Sequence, residues 1–571
     1  VGFTEEHETR GRPVWYNLMH TMKNPFYKLV GTVSAVVLLG AIPAVVSRPQ
    51  TSATSPAQNG VKQAASRLDA ACERAWEEAG KESGQPFTPM GAADSLTVIR
   101  RLSLALCGTI PSLEEIRAIE KVAPDAQIDT HLEHLLSDRR YADYLAERLA
   151  RAFVGTEDGP FLVYRRRRFV YWLSDELLRS PSDPKYLSYD ALVRAVISSE
   201  GLWTDHPATN FVTARVIENK GPDPLALAAR TTRAFLGIRI DCAQCHDHPF
   251  TSWKQKDFEG LAAFFSEAKQ SFRGIEDRPE ELKVVDIKTK EEREVAPRFP
   301  FAPDAGASEG HRRQQLAEWV TTPKLHEDSD GNSHDYFAEA IANRAWTLMF
   351  GQGITEPVDD LEGQRRLPGV LEELARDFRE NGHDLRRLIR VIASTRAFRM
   401  ASGDGSEISE EQEKLYAAFP MTRLRSEQIA GALVQASSLQ TVDADSHIVV
   451  RTLRFFNTND FIKSYGDAGE EELNAHIGTI PQRLVMMNGK MPRERIQASP
   501  LNAAGRVSRL APSDETRVRI VYLIALSRNP TDQESEHFVA RLKELKTADK
   551  HQGIEDILWA LFNSTEFSWN H

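Results

Sequence analysis

Cysteine is scarce in this sequence: 571 residues carry four, which excludes a disulfide-built scaffold. A basic excess is missing as well. The net charge is −11, and a general nucleic-acid binder needs a basic face to neutralise phosphates. No Gly-x-Gly-x-x-Gly turn, P-loop, Gly-x-Ser-x-Gly elbow or His-Glu-x-x-His pair occurs, which argues against the common nucleotide enzymes and hydrolases. No unit of roughly 20–50 residues repeats, so a solenoid is not expected. Long apolar runs are also lacking, with one exception, and that excludes a polytopic membrane protein. What is there is ordinary globular composition, 41% hydrophobic and 27% charged. The length suits three or four domains of about 150 residues each.

The exception is Leu29–Val46, an eighteen-residue stretch without a charge. A helix of about that length is the minimum that crosses ~30 Å of hydrocarbon. Lys23 and Lys28 precede it closely, which favours a cytoplasmic N-terminus. A secretory signal peptide is the competing reading, but no clear Ala-x-Ala cleavage site follows the apolar core. We expect a retained transmembrane helix at 29–46, a cytoplasmic segment at 1–28 and the bulk in the periplasm. Residues 47–66 are rich in Ser, Thr, Ala, Pro and Gln, a composition expected to form a flexible tether.

Beyond the tether the periodicity is helical. Leu96, Ile99, Leu102 and Leu106 share one face of a helix over Ser95–Leu106. Ser112 with Glu115 three residues on has the form of a capping box. Further helices are expected at 141–153, 165–178, 189–197, 223–236, 311–321, 335–350, 369–379, 384–397, 426–435, 513–527, 532–545 and 553–562. Strand signals are confined to Lys283–Val295 and His447–Leu453, expected as minor hairpins. Charges followed by Pro297, Pro300 and Pro303 between Glu267 and Gly310 suggest a domain boundary. The fold class is therefore mainly α: a multi-helix globular body with minor β hairpins behind a single N-terminal transmembrane helix.

One pentapeptide carries chemistry. Cys242-Ala-Gln-Cys245-His246 has the spacing used for covalent c-type haem. Two thiols three positions apart lie about one helical turn from each other, so each reaches one vinyl-derived carbon, and the adjacent imidazole is carried to the iron. With four cysteines and sixteen histidines, roughly 0.0008 such pentapeptides arise by chance. Two other arrangements suit the same residues: a cofactor-free structural protein of the envelope with a Cys242–Cys245 disulfide, and a non-haem metal enzyme in which His246 is joined by His248 and Asp247. Cys72 and Cys107 are far off in sequence and are a possible disulfide pair in an oxidising compartment. The sixth iron position has Met349, Met400, Met421, Met486, Met487 and Met491 among its candidates, and any one such Met is more often core than ligand. Arg165–Arg168 suits an anionic lipid, haem propionates or an acidic partner, although a solvated helix face is the commoner use of such a run. Trp172, Trp253, Trp319 and Trp346 read as core or interface aromatics.

Several stretches resemble a known tandem. Arg100–Pro111 (RRLSLALCGTIP), Tyr189–Arg194 (YDALVR) and Thr232–Phe265, which contains the pentapeptide, resemble the planctomycete cytochrome-associated domain of unknown function 1549. Leu316–Thr321, Asn343–Asp360 (NRAWTLMFGQGITEPVDD), Asp384–Met400, Ile480–Gly489, Tyr522–Pro530 and Leu558–His571 resemble its companion, domain of unknown function 1553. The resemblance implies a DUF1549-like helical domain at 67–305 and a DUF1553-like one at 306–571. It carries over to Cys242, Cys245, His246, Asp247 and His248. Relatives commonly show a Pro-Pro-Ser-His-Pro-like run where this chain has Glu362–Pro368 (EGQRRLP), and Cys107 stands where they carry another residue. They are often joined to a separate cytochrome c domain, but this sequence holds no second Cys-x-x-Cys-His.

The expectation is a membrane-anchored periplasmic protein with one covalent haem c at Cys242 and Cys245 and His246 as axial ligand. It would be an electron-transfer subunit whose partners are the membrane and other membrane or periplasmic proteins, with no nucleic acid.

Overall fold

Ser112 and Glu115 close the capping box that their spacing predicts. The Ser112 hydroxyl accepts the Glu115 N–H at 3.0 Å, and the Glu115 carboxylate accepts the Ser112 N–H at 2.8 Å. The computed structural model describes residues 56–84, 87–157, 164–217, 220–247, 253–285, 290–300, 310–323, 326–327, 333–363, 365–403, 408–443, 445–446, 460–466 and 479–571. Across them the fold is mainly helical, and every named strand lies in a two-stranded antiparallel pair. The expected helices form within a few residues of their predicted ends, among them Arg139–Val154, Arg166–Leu178, Tyr336–Phe350 and Asp514–Leu526. Lys283–Val295 is the expected hairpin, pairing Leu282–Val285 with Glu292–Val295. The other strand candidate, 447–453, lies outside the described residues, as does the apolar stretch 29–46. Among the described residues no helix is long and apolar enough to cross a membrane.

Part of the expected tether is helical. Residues 56–66 open a 28-residue helix, Pro56–Ser83. Val61, Ala64, Leu68, Cys72 and Trp76 fall at helical spacing and are buried in the core, while Ser, Gln and Lys take the outer face. Alanine has high helix propensity and loses no side-chain entropy, so a composition that reads as linker folds once a partner covers one stripe.

The buried apolar residues sort into two cores: the first runs to Phe419, and the second takes Leu104, Ile110 and the buried residues from Leu424 onward. The described residues of the charged, proline-bearing stretch pack on the first core. Phe299 stacks between Phe264 and Trp319, with ring centroids 4.6 and 5.3 Å away, and Leu282 and Val295 are buried beneath the hairpin.

Ser95–Cys107 serves both cores. Val98, Leu102 and Leu106 belong to the first and Leu104 to the second. Its last ten residues are all buried, as befits a helix enclosed on every side. Two buried arginines on it bond mainly to backbone oxygens. Arg100 donates to Ala525 O and Phe567 O, and Arg101 to Phe398 O, Met400 O and His571 O. Burial lowers their pKa values to about 10 and about 9. Where this helix meets Ser426–Ala436, a Cβ on Gly431 would come within 2.3 Å of Gly108 O. Only glycine permits that approach.

Cys72 and Cys107 are both buried thiols, and no disulfide joins them.

Candidate functional site

The segment carrying the pentapeptide is fixed at both ends and open in the middle. Asp223 caps the helix Pro224–Thr231, accepting from Leu225 N and Ala226 N. The helix widens into a π turn at Thr232–Leu236 and stops at Gly237, whose φ of +60° is left-handed. A Cβ there would also press on Leu361 Cγ at 2.9 Å, so glycine is required on both counts. Ile238, Ile240 and Ala243 are then buried, and Cys242, Gln244, Cys245, His246 and Asp247 are exposed. Cys242 lies on the 3-10 turn Asp241–Gln244, and Cys245 follows at its end. Both stand as thiols, so the cofactor-free disulfide is not the arrangement this structure has.

His246 Nδ1 lies 2.7 Å from the carbonyl oxygen of Asp247. As a donor to that carbonyl, Nδ1 keeps its hydrogen and leaves the Nε2 lone pair for a metal, the tautomer that a carbonyl partner selects in ligating histidines. The Asp247 carboxylate accepts Gln255 N at 3.0 Å and pairs with Lys254 Nζ at 3.4 Å. The hydrogen bond from Gln255 holds its pKa below the usual carboxylate value. Both oxygens are thus engaged, and Asp247 ties the motif to the helix Gln255–Ala262. Among the described residues no group of three His, Cys, Asp or Glu forms a metal cage; His248 lies outside them.

The second half of the chain supplies the other supports. Arg344, on Tyr336–Phe350, donates to Ala234 O at 2.5 Å and Arg233 O at 3.0 Å, which satisfies carbonyls of the π turn. Leu361 N donates to Gly237 O at 2.7 Å. Asp359 pairs with Arg239 at 2.5 Å and with Arg233 at 3.3 Å, and Arg233 also reaches Asp241 at 3.3 Å. Trp253 Nε1 donates to Glu362 at 3.0 Å. Asn343 holds the supporting loop through Thr355, donating to its carbonyl and accepting its N–H. Sequence reasoning assigned no role to Asn343, Arg344, Asp359 or Glu362. The signal was an Asn-Arg pair in the middle of an apolar helix, followed by paired aspartates. In the run Glu362–Pro368, Glu362 meets Trp253, while Arg365 and Arg366 pair with Glu339 and Glu356.

The other candidates have surroundings of their own. Arg166 is bound by Glu147, Arg168 donates to Thr204 O and Arg167 to the Tyr171 hydroxyl, so the arginine run is largely tied to its own surroundings. Met349 and Met400 are packed in the first core and Met486 and Met491 in the second, while Met421 and Met487 are exposed. Trp253, Trp319 and Trp346 are buried core aromatics.

For a c-type haem the test is whether the chain offers two reachable thiols and an imidazole nitrogen free to ligate. Exposed Cys242 and Cys245 and the Nδ1-bonded His246 meet it.

A mainly helical protein presenting Cys-x-x-Cys-His on an exposed turn, braced by both halves of its chain, is the class these features define. Residues 68–270 match the family model PSCyt2, a protein of unknown function (DUF1549), and residues 312–542 match PSD1, a protein of unknown function (DUF1553). The chain belongs to the family in which these two domains stand in tandem. No curated protein and no solved structure matches it.

Proposed function

We propose that this chain is a c-type haem protein serving electron transfer, anchored to the membrane through residues 29–46 with its body in the periplasm. The observation that carries the reading is the exposed turn on which Cys242, Cys245 and His246 stand together, with His246 Nδ1 bonded to Asp247 O. Cys242 and Cys245 would hold the group by thioether bonds, and His246 would ligate the iron through Nε2. Bound haem supplies one-electron redox chemistry. The chain's own residues orient and restrain. The Asp247 carbonyl fixes the imidazole tautomer, and Asp247 joins the motif to the next helix. Buried Ile240 and Ala243 anchor the turn from below, while Arg233, Arg239 and Asp359 hold its approach. Exposure of the motif suits a surface at which a partner redox protein docks, and the PSCyt2 model name agrees with a cytochrome association.

The test is a visible spectrum of the purified full chain, oxidised and dithionite-reduced, with a haem stain after denaturing electrophoresis. A reduced c-type spectrum and a stain that survives denaturation, both lost in Cys242→Ala/Cys245→Ala, are expected. A colourless chain expressed alongside a haem-attachment system overturns the reading.

A further inference from the structure

The helix Ile480–Asn488 turns Met486 into the second core and leaves Ile480, Leu484 and Met487 in solvent. These three are four and three positions apart, so they share one helix face, and Ile480 is 78% exposed. Trp559, also exposed, meets the end of that helix, its Nε1 3.5 Å from Met487 O. Trp559 stands on Lys550–Phe562, and Ala503–Leu510 packs along the same helix. The outward residues of Ala503–Leu510 are Arg506, Arg509 and Leu510, again at the spacing of one face. Leu510 is 72% exposed, and Leu501, just ahead of the helix, 92%. Exposed apolar residues gathered in one region, unlike single ones, mark an interaction surface.

The charged residues among them are basic but for one. Between 480 and 510 stand Arg483, Lys490, Arg493, Arg495, Arg506 and Arg509, with one acid, Glu494, which reaches Lys490 at 3.9 Å. The acids on the helices packed against this stretch have partners of their own. Glu427 pairs with Arg148 and Arg425, Asp514 with Lys550 and Arg517, Glu515 with Lys543 and Asp556 with Arg541. Glu555 accepts the Ala498 N–H at 2.7 Å. The run Asp467–Glu472, outside the described residues, adds four more acids. With all of these counted, 447–510 still holds nine basic and six acidic side chains, in a chain whose net charge is −11.

We infer that this face docks on an anionic lipid bilayer, with its arginines at the headgroups and Ile480, Leu484, Leu510 and Trp559 entering the interface. Short helices that show apolar and basic residues side by side suit shallow insertion, and tryptophan settles at the headgroup level. Charge complementarity selects an anionic surface over a neutral one, at about fivefold in affinity for each Lys or Arg beside it. The face acts apart from the stretch 29–46 and apart from the haem reading.

The experiment combines the full chain with vesicles of brominated phosphatidylcholine, alone or mixed three to one with brominated phosphatidylglycerol, and reads tryptophan quenching. The chain has nine tryptophans, so Trp559→Phe isolates the one concerned: quenching that wild type shows and this variant lacks belongs to Trp559. It is expected in the mixed vesicles at low ionic strength and not in phosphatidylcholine alone. Arg483→Gln/Arg493→Gln/Arg509→Gln weakens docking about a hundredfold and removes that quenching. Arg483→Lys/Arg493→Lys/Arg509→Lys keeps it, which a misfolded variant does not. Trp559 quenching that is absent from the mixed vesicles, equal in neutral ones, or unchanged by the three glutamines overturns the proposal. Retention of the chain on neutral vesicles at high salt reports the stretch 29–46 alone, so a failed anchor and a failed docking face are told apart.

Discussion

Arg239 reaches Asp359 at 2.5 Å, joining a residue three positions before Cys242 to one from the other family domain. Arg233 meets the same carboxylate, and Leu361 N bonds Gly237 O close by. The Cys-x-x-Cys-His turn belongs by sequence to DUF1549, yet its approach is held by the DUF1553 loop. The two family domains therefore build one site.

Removing Asp359 tests that coupling. Asp359→Ala leaves two half-exposed guanidiniums without their shared partner, and we expect a loss of about 1–2 kcal/mol in urea unfolding. Amide hydrogen exchange at 238–247 should quicken more than in the distant helix Asp532–Glu544. Equal protection in variant and wild type would show that the loop does not restrain the motif.

Arg313 and Asp277 form a pair whose side chains are both fully buried, with Nε–Oδ1 at 2.7 Å and Nη2–Oδ2 at 2.9 Å. Arg313 Nη1 also donates to Ile197 O and Ser199 O. Asp277→Ala strands the guanidinium and should cost about 3–5 kcal/mol. Arg313→Met/Asp277→Leu should recover part of that loss, because two apolar groups leave no buried charge alone. A double variant as unstable as the single one would count against this account.

Acid should destabilise the fold in two stages. Burial lowers the His131 pKa from 6.5 to about 4, although Glu115 pulls the other way; Ser103 Oγ lies 2.9 Å from its ring nitrogen. A histidine kept neutral in the fold binds fewer protons than in the unfolded chain. Its contribution is therefore whole above pH 6.5 and is lost towards pH 4, at up to ~1.4 kcal/mol per pH unit. Neighbouring His134 is raised by its bond to Glu115 and opposes this slope over the upper part of the range. Glu427 follows. Burial alone would raise it, but Arg148 and Arg425 bring it from 4.5 to about 2, so its contribution is lost as pH falls below 4.5. Urea unfolding from neutral to acid pH should show both stages, and His131→Gln should flatten the first. An unchanged profile in that variant would rule His131 out.

Thiol labelling separates the cysteines. Burial pushes the Cys72 pKa up to about 12, and a protonated buried thiol is inert. In haem-free protein, Cys242 and Cys245 should be alkylated at pH 8 while Cys72 and Cys107 react only on unfolding. Mass spectrometry counts the adducts. Native labelling of Cys72 at the rate of Cys242 would contradict its burial.

Most helices were legible because their apolar residues recur at helical spacing and their caps are local chemistry, as with Ser112 and Glu115. The Cys242–His246 segment was legible because five adjacent residues carry its whole pattern. One reading failed. Residues 56–66 lack any strong apolar signal of their own, and Val61 and Ala64 have a core stripe only once other helices cover them. The charged stretch at 267–310 was legible as the boundary between the family domains, which end at 270 and resume at 312, although Phe299 still packs between Phe264 and Trp319 on the first core.

The sequence by itself determined the helical class, the tandem family and the reactive pentapeptide, since periodicity, capping and motif spacing act between near neighbours. Tertiary structure alone decided that Cys72 and Cys107 stay apart, that Arg100 and Arg101 are buried against carbonyls, and that Arg344, Asp359 and Leu361 brace the motif from more than a hundred residues away. Those contacts depend on how helices pack around two cores. Packing is set by the summed fit of many side chains, which no local pattern records.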